Sequence, residues 1–102
     1  MRWLLIGAGY SAQTFARLIA GEAEAISGTT RDAAKFGALE AAGISPLQCD
    51  GSSIPQGLAQ EMRRATHLLH SAAPGAGADP LLALLGASLA EAMPKLRWAG
   101  YL

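Results

Sequence analysis

The hexapeptide Gly7-Ala8-Gly9-Tyr10-Ser11-Ala12 has the form G-x-G-x-x-A and stands between a short apolar run and a segment of helical period. Amides at the start of a helix lack intrahelical acceptors and lie at the positive end of the helix dipole, so they suit an anion. A glycine at position 7 permits a tight turn out of a strand, and one at position 9 lets the backbone approach a diphosphate. A small residue at position 12 allows close packing of helix on sheet. The helix-start amides of Tyr10 and Ser11 would face the anion, and the Ser11 hydroxyl would add a contact. Any short turn between strand and helix also favours glycine. The surrounding strand and helix patterns raise this one to a phosphate cradle.

In dinucleotide sites of this kind a carboxylate about 20 positions further on binds the ribose hydroxyls. The matching stretch here is Ser27-Gly28-Thr29-Thr30-Arg31, with no carboxylate at the strand tip. Thr30 offers a hydroxyl, and the Arg31 guanidinium can clamp a phosphate through two parallel bonds. That chemistry fits the 2′-phosphate of NADP in preference to NAD, with Lys35 as a secondary contact. Asp32 is assigned to capping the next helix. The alternative for Arg31 is a solvated surface charge.

Asp50 follows the third apolar run, where a carboxylate could accept a bond from an adenine amine, although Asp50-Gly51 is equally a turn signal. Ser71-Ala72-Ala73-Pro74-Gly75 is small and apolar enough to lie flat against a cofactor, which adds Ser71 and Ala72 to the candidate contacts. His67 and His70 do not form a metal pair, because residues three apart in a strand point to opposite faces. His67 reads as a hydrogen-bonded core or strand-edge histidine. His70, at the end of its strand, is a candidate pocket residue. No cluster of metal-ligating residues accompanies them.

These groups need a scaffold, and the chain supplies an alternating one. Trp3 to Ile6 reads as a buried strand and Ser11 to Ala20 as a helix, with Phe15, Leu18 and Ile19 on its inner face and Gly21 closing it. Ala23 to Thr29 is a second strand. Asp32 to Ala42 is a helix with Phe36 and Leu39 inward and Gly43 past its end. Ile44 to Cys49 is a third strand, and Pro46 places it at a sheet edge, because proline cannot donate to a ladder. A helix from about Pro55 to Arg64 buries Leu58 and Met62, and Thr66 to His70 is a fourth strand. Asp79-Pro80 opens a helix with a stripe of Leu81, Leu82, Leu85, Leu89 and Met93, and Leu96 to Leu102 is a fifth strand. The alternation predicts an α/β, Rossmann-type, doubly wound parallel sheet of about five strands, with helices on both faces. It would form one domain over residues 1–102. Because the last strand stops without a cap, the chain is expected to be a fragment truncated after strand five, or a domain whose edge a partner covers. The bare edge carrying Trp98 and Tyr101 predicts self-association.

Composition sets the outer limits. With 51% hydrophobic and 16% charged residues, the chain can bury enough surface to offset its ordering entropy, which excludes a disordered polypeptide. Eight basic and eight acidic residues cancel, so no long-range field recruits nucleic acid or an anionic membrane. The apolar run at the start breaks at Gly7, short of the roughly 7–15 residues of an export signal, and no run approaches the roughly 20 of a membrane span. A single cysteine, Cys49, forms no internal disulfide, and a cytoplasmic setting is expected.

Taken together, GAGYSA at 7–12, SGTTR at 27–31, CDG at 49–51, THLLHSAAP at 66–74 and LRWAGYL at 96–102 make the chain resemble the N-terminal part of the short-chain dehydrogenase/reductase superfamily, in its extended or atypical, epimerase-like branch. The resemblance implies a Rossmann fold, NADP in the cleft and a nucleotide-sugar or similar small carbonyl or alcohol substrate. The family's catalytic Tyr-x-x-x-Lys is absent here, since the tyrosines are Tyr10 and Tyr101 and position 14 is Thr14. No catalytic residue is therefore carried over. The expected function is the NADP-binding segment of an oxidoreductase or epimerase. The alternatives are a non-catalytic NADP-binding sensor and an α/β interaction module without a dinucleotide.

Overall fold

The computed structural model describes residues 1–49, 55–70 and 89–101. Strands β1 (Arg2–Ile6), β2 (Ala25–Thr30), β3 (Ser45–Gln48), β4 (His67–His70) and β5 (Trp98–Tyr101) form one parallel sheet in the order β3-β2-β1-β4-β5. The described helices are α1 (Tyr10–Ile19), α2 (Phe36–Ala41), α3 (Gln56–Arg64) and α4 (Leu89–Ala92). This is the α/β, Rossmann-like architecture that the alternating pattern predicts. The expected residues Asp79 to Leu85 of the helix before β5 lie outside the described residues.

The sheet is covered on both faces, and the strand order explains how. Connections from β1 to β3 step one way across the sheet, and those from β3 to β5 return the other way. Right-handed crossovers then place the helices of the two halves on opposite faces. Two separate apolar clusters bear this out. One gathers Trp3, Leu5, Ile26, Ile44 and Leu69 with Ala12 and Ala16 of α1 and Leu39 of α2. The other gathers Leu4, Ile6 and Leu68 with Leu58 and Met62 of α3 and Met93 just after α4. Consecutive residues of β1 thus serve opposite faces, and burying a leucine on each side contributes about 1.5–3 kcal/mol per side chain.

Several local signals act as read. Asp32 caps the second helical segment by accepting from the Ala34 amide at 2.9 Å, and Gly43 ends it at φ 83°. Pro46 does lie on an edge strand. Two expectations are corrected. The segment from Asp32 is not one helix: a 3-10 turn, Ala33–Lys35, runs into α2. Leu18 is not on the inner face of α1 but 79% exposed. The helix rests on the sheet through Ala12 and Ala16, both fully buried, with Phe15 and Ile19 packed beside them. At 100° per residue Leu18 falls roughly 120° from Ala12, on the outer flank.

At the amino-terminal end of the sheet, the Arg2 guanidinium lies 3.6 Å from Glu61 of α3 and 3.9 Å from Glu24, and Ser27 Oγ donates to Glu61 Oε2 at 3.3 Å. A row of aromatic side chains runs along the same end. Trp3, His67 and Trp98 are register neighbours across β1, β4 and β5, with ring centroids 4.7 Å (Trp3–His67) and 5.5 Å (Trp3–Trp98) apart. These contacts anchor the sheet at the end remote from the glycine turn.

Candidate functional site

The glycine turn leaves the carboxyl end of β1, the central strand, and enters α1. β1 lies between β2, to which the chain next moves, and β4, to which it returns after β3. That boundary is the topological switch point, where open α/β sheets bind ligands beyond their carboxyl ends.

Gly7 has φ 78°, in the left-handed region that an L side chain rarely adopts, so this position needs glycine for its backbone. Gly9 is a different case. It is the N-cap of α1 with an extended φ of −82°, and a Cβ built on it meets nothing within 4 Å. Neither the backbone nor the packing of the described residues requires glycine there. Among the described residues the space over Gly9 is open, and a backbone without a side chain keeps it so. The N-cap of α1 is Gly9, which has no side chain to cap it, and the first-turn amides, those of Tyr10, Ser11 and Ala12, have no acceptor within the helix. Ser11 is exposed, which leaves its hydroxyl accessible beside them. The Ala12 side chain is fully buried against the sheet, as close helix–sheet packing demands, so only its amide faces the turn.

The turn is held from β2. Gly7 N donates to Thr29 Oγ1 at 2.9 Å, and Ala8 N donates to the Thr29 carbonyl at 2.7 Å. Gly9 N donates back to the Gly7 carbonyl at 2.8 Å. A Cβ on Gly28 would stand 2.9 Å from the Ala8 Cβ and 2.8 Å from Ile44 Cγ2. Gly28 is therefore what lets the turn approach β2. These roles of Gly28 and Thr29 were not read from the sequence. The available signal was a glycine and hydroxyl residues inside a strand buried through Thr29.

Thr30 ends β2, and Arg31 follows it with an exposed side chain. Thr30 Oγ1 accepts from Asp32 N at 3.3 Å, and the Arg31 carbonyl accepts from Gln48 Nε2 at 3.3 Å. These bonds set the backbone of the strand tip and leave the guanidinium out of them. Among the described residues, no carboxylate pairs with Arg31. Asp32 Oδ1 is engaged in its cap, and the tip presents a cation at Arg31 and a hydroxyl at Thr30. Lys35 is exposed one turn further on.

His70 is buried at the end of β4, in register with Ile6 and Tyr101, at the level where β1 gives way to the turn. His67 faces the other side of the sheet, as strand alternation predicts. It shares a hydrogen bond of 2.7 Å with Thr66 Oγ1. Burial, followed by the positive charges of the N-terminus and Arg97, holds His67 below the ordinary histidine value. Asp50, Ser71 and Ala72 lie outside the described residues, as does the Tyr10 side chain. Among the described residues there is no group of three or more His, Cys, Asp or Glu placed to hold a metal ion. Among them, too, no helix is long and apolar enough to cross a membrane.

No family model matches this chain, and no curated protein matches it. Among solved structures it is similar to a functionally unknown conserved protein from Silicibacter pomeroyi DSS, with 36% sequence identity and a TM-score of 0.75. The alignment covers 98% of this chain and 34% of that protein, so the chain spans about a third of its length. With the five-stranded parallel sheet, this likeness establishes a Rossmann-like α/β fold.

Proposed function

We propose that this chain is the dinucleotide-binding segment of an NADP-dependent oxidoreductase or epimerase of the short-chain dehydrogenase/reductase type. The observation that carries the reading is the turn at the switch point. Gly7 folds back at positive φ, Gly9 leaves open space, and α1 begins with uncapped amides. An anion with two adjacent phosphates matches such donors. Arg31 at the tip of β2, with Asp32 engaged elsewhere, supports NADP over NAD.

NADP, when bound, supplies the hydride acceptor or donor for a carbonyl or alcohol substrate. This chain's own residues would bind and orient it: the α1 amides at the diphosphate, and Thr30 and Arg31 at the ribose phosphate. Asp50 would meet the adenine, while Ser71 and Ala72 would lie along the cofactor. No Tyr-x-x-x-Lys occurs within the chain, so acid–base groups would come from outside these 102 residues. A lone cysteine suits a reducing cytoplasm. Among the described strands β5 lies at a sheet edge, which supports self-association.

The test is thermal unfolding with NADP, NAD and ADP. A ligand that binds only the folded state at about 100 times its Kd adds roughly 2.7 kcal/mol. NADP should raise the melting temperature most. No shift at millimolar NADP or NAD would remove the dinucleotide and leave an α/β interaction module.

A further inference from the structure

We infer that Thr29 is a positioning residue for the diphosphate, acting on it only through the Gly7–Ala8 turn; this rests on the dinucleotide reading above. Thr29 is 4% exposed and reaches the turn at two points. Its hydroxyl accepts from Gly7 N at 2.9 Å, and its carbonyl accepts from Ala8 N at 2.7 Å. A branched side chain in a strand has few χ1 choices, so the hydroxyl is a fixed acceptor. The carbonyl is fixed by the strand itself.

The pairing matters because of what it leaves over. The amides of Gly7 and Ala8 are taken by Thr29, and that of Gly9 by the Gly7 carbonyl. Donors for an incoming anion are then those of the first turn of α1. Their height over the sheet is set by where the turn is held. Gly28 brings Ala8 close enough for the second bond, since a Cβ there would lie 2.9 Å from that of Ala8. β2 therefore does two jobs with consecutive residues. Gly28 admits the turn, Thr29 latches it, and the donors are aimed before the ligand arrives.

The experiment compares Thr29→Val, which keeps the shape and removes the hydroxyl, with Thr29→Ser, which keeps the hydroxyl. Two readouts are taken: the dissociation constants of ADP and NADP, and the hydrogen-exchange rate of the Gly7 amide in the ligand-free protein. In Thr29→Val the Gly7 amide should exchange at least about tenfold faster, and both ligands should bind about tenfold more weakly. Thr29→Ser should restore both. Should the valine variant fail to fold, Thr29→Ala is read the same way against serine. Unchanged exchange, unchanged affinity, or a serine variant no better than valine would overturn the latch. If the wild-type chain binds neither ADP nor NADP, the dinucleotide reading fails. The Gly7 exchange rates then still decide whether Thr29 holds the turn.

Discussion

Gly28 and Ala8 approach so closely that a methyl group on the glycine would stand 2.9 Å from the alanine Cβ. Ala8 has no rotamer to change, and Ile44, whose Cγ2 would lie 2.8 Å away, is 1% exposed in the core. Gly28→Ala must therefore move backbone. Overpacking of this kind costs about 1–3 kcal/mol, and the shift would lift the turn off β2. Denaturant unfolding should show the loss, with weaker ADP binding in the same variant. Wild-type stability in Gly28→Ala would mean that the turn rests elsewhere.

Gly7 and Gly9 should part company under substitution. Gly7→Ala places a side chain at φ 78° and is expected to cost about 1–2 kcal/mol of stability. Gly9→Ala meets no atom of the described residues within 4 Å and should change stability by no more than about 1 kcal/mol, the usual size of an N-cap effect. Its penalty should appear instead in ADP and NADP affinity, because the methyl group enters the volume assigned to the diphosphate. Calorimetric titration beside thermal unfolding separates the two. Undiminished binding by a stable Gly9→Ala variant would contradict the cradle.

Arg31 is exposed and unpaired with any described carboxylate, so Arg31→Ala should leave stability within about 0.5 kcal/mol. Hydrogen bonds to a charged group contribute about 1.5–3 kcal/mol, so NADP should bind roughly 10- to 150-fold more weakly. NAD, which lacks the 2′-phosphate, should be unaffected. Equal affinity of the wild-type chain for NADP and NAD would end the assignment.

His67 makes stability depend on pH, and the sign is fixed by the direction of its shift. Its folded-state value lies below 6.5, chiefly through burial, so the unfolded chain takes up the proton first as pH falls. Between the folded value and 6.5 the unfolded state holds more protons, and stability rises with pH through that window. Below it both states are protonated and the contribution is gone. The urea midpoint should be lower near about pH 5 than near about pH 7.5, and His67→Gln should reduce that difference. Identical pH profiles for the two proteins would exclude His67 as the cause.

Among the described strands, the two sheet edges differ in their protection. β3 carries Pro46, which removes a donor, whereas β5 is Trp-Ala-Gly-Tyr with neither proline nor charge and leaves Trp98 46% exposed. Light scattering should show concentration-dependent association, and Trp98→Lys should shift the chain toward monomer. A monomer across a wide concentration range would rule the edge out as a contact.

Much of this was legible in the order of the residues because it depends on local chemistry. A glycine after an apolar run, a proline in a strand, Asp32 before a helix and Gly43 after one each act within a few residues. Leu58 and Met62 repeat at helical spacing and are buried as read. The sheet order follows from the same local elements, since crossover handedness leaves few arrangements. Leu18, Gly28 and Thr29 could not be read in that way. Which side of α1 faces inward was settled by Ala16 beside Ala12; Ala12 was legible from the glycine motif, but the worth of Ala16 appears only once a sheet lies beneath it. Thr29 finds its partner 22 residues earlier in the chain. Only the folded sheet brings β2 beside the glycine turn, and there Gly28 becomes clearance and Thr29 becomes an acceptor, because close approach and hydrogen bonding are set by distances in space.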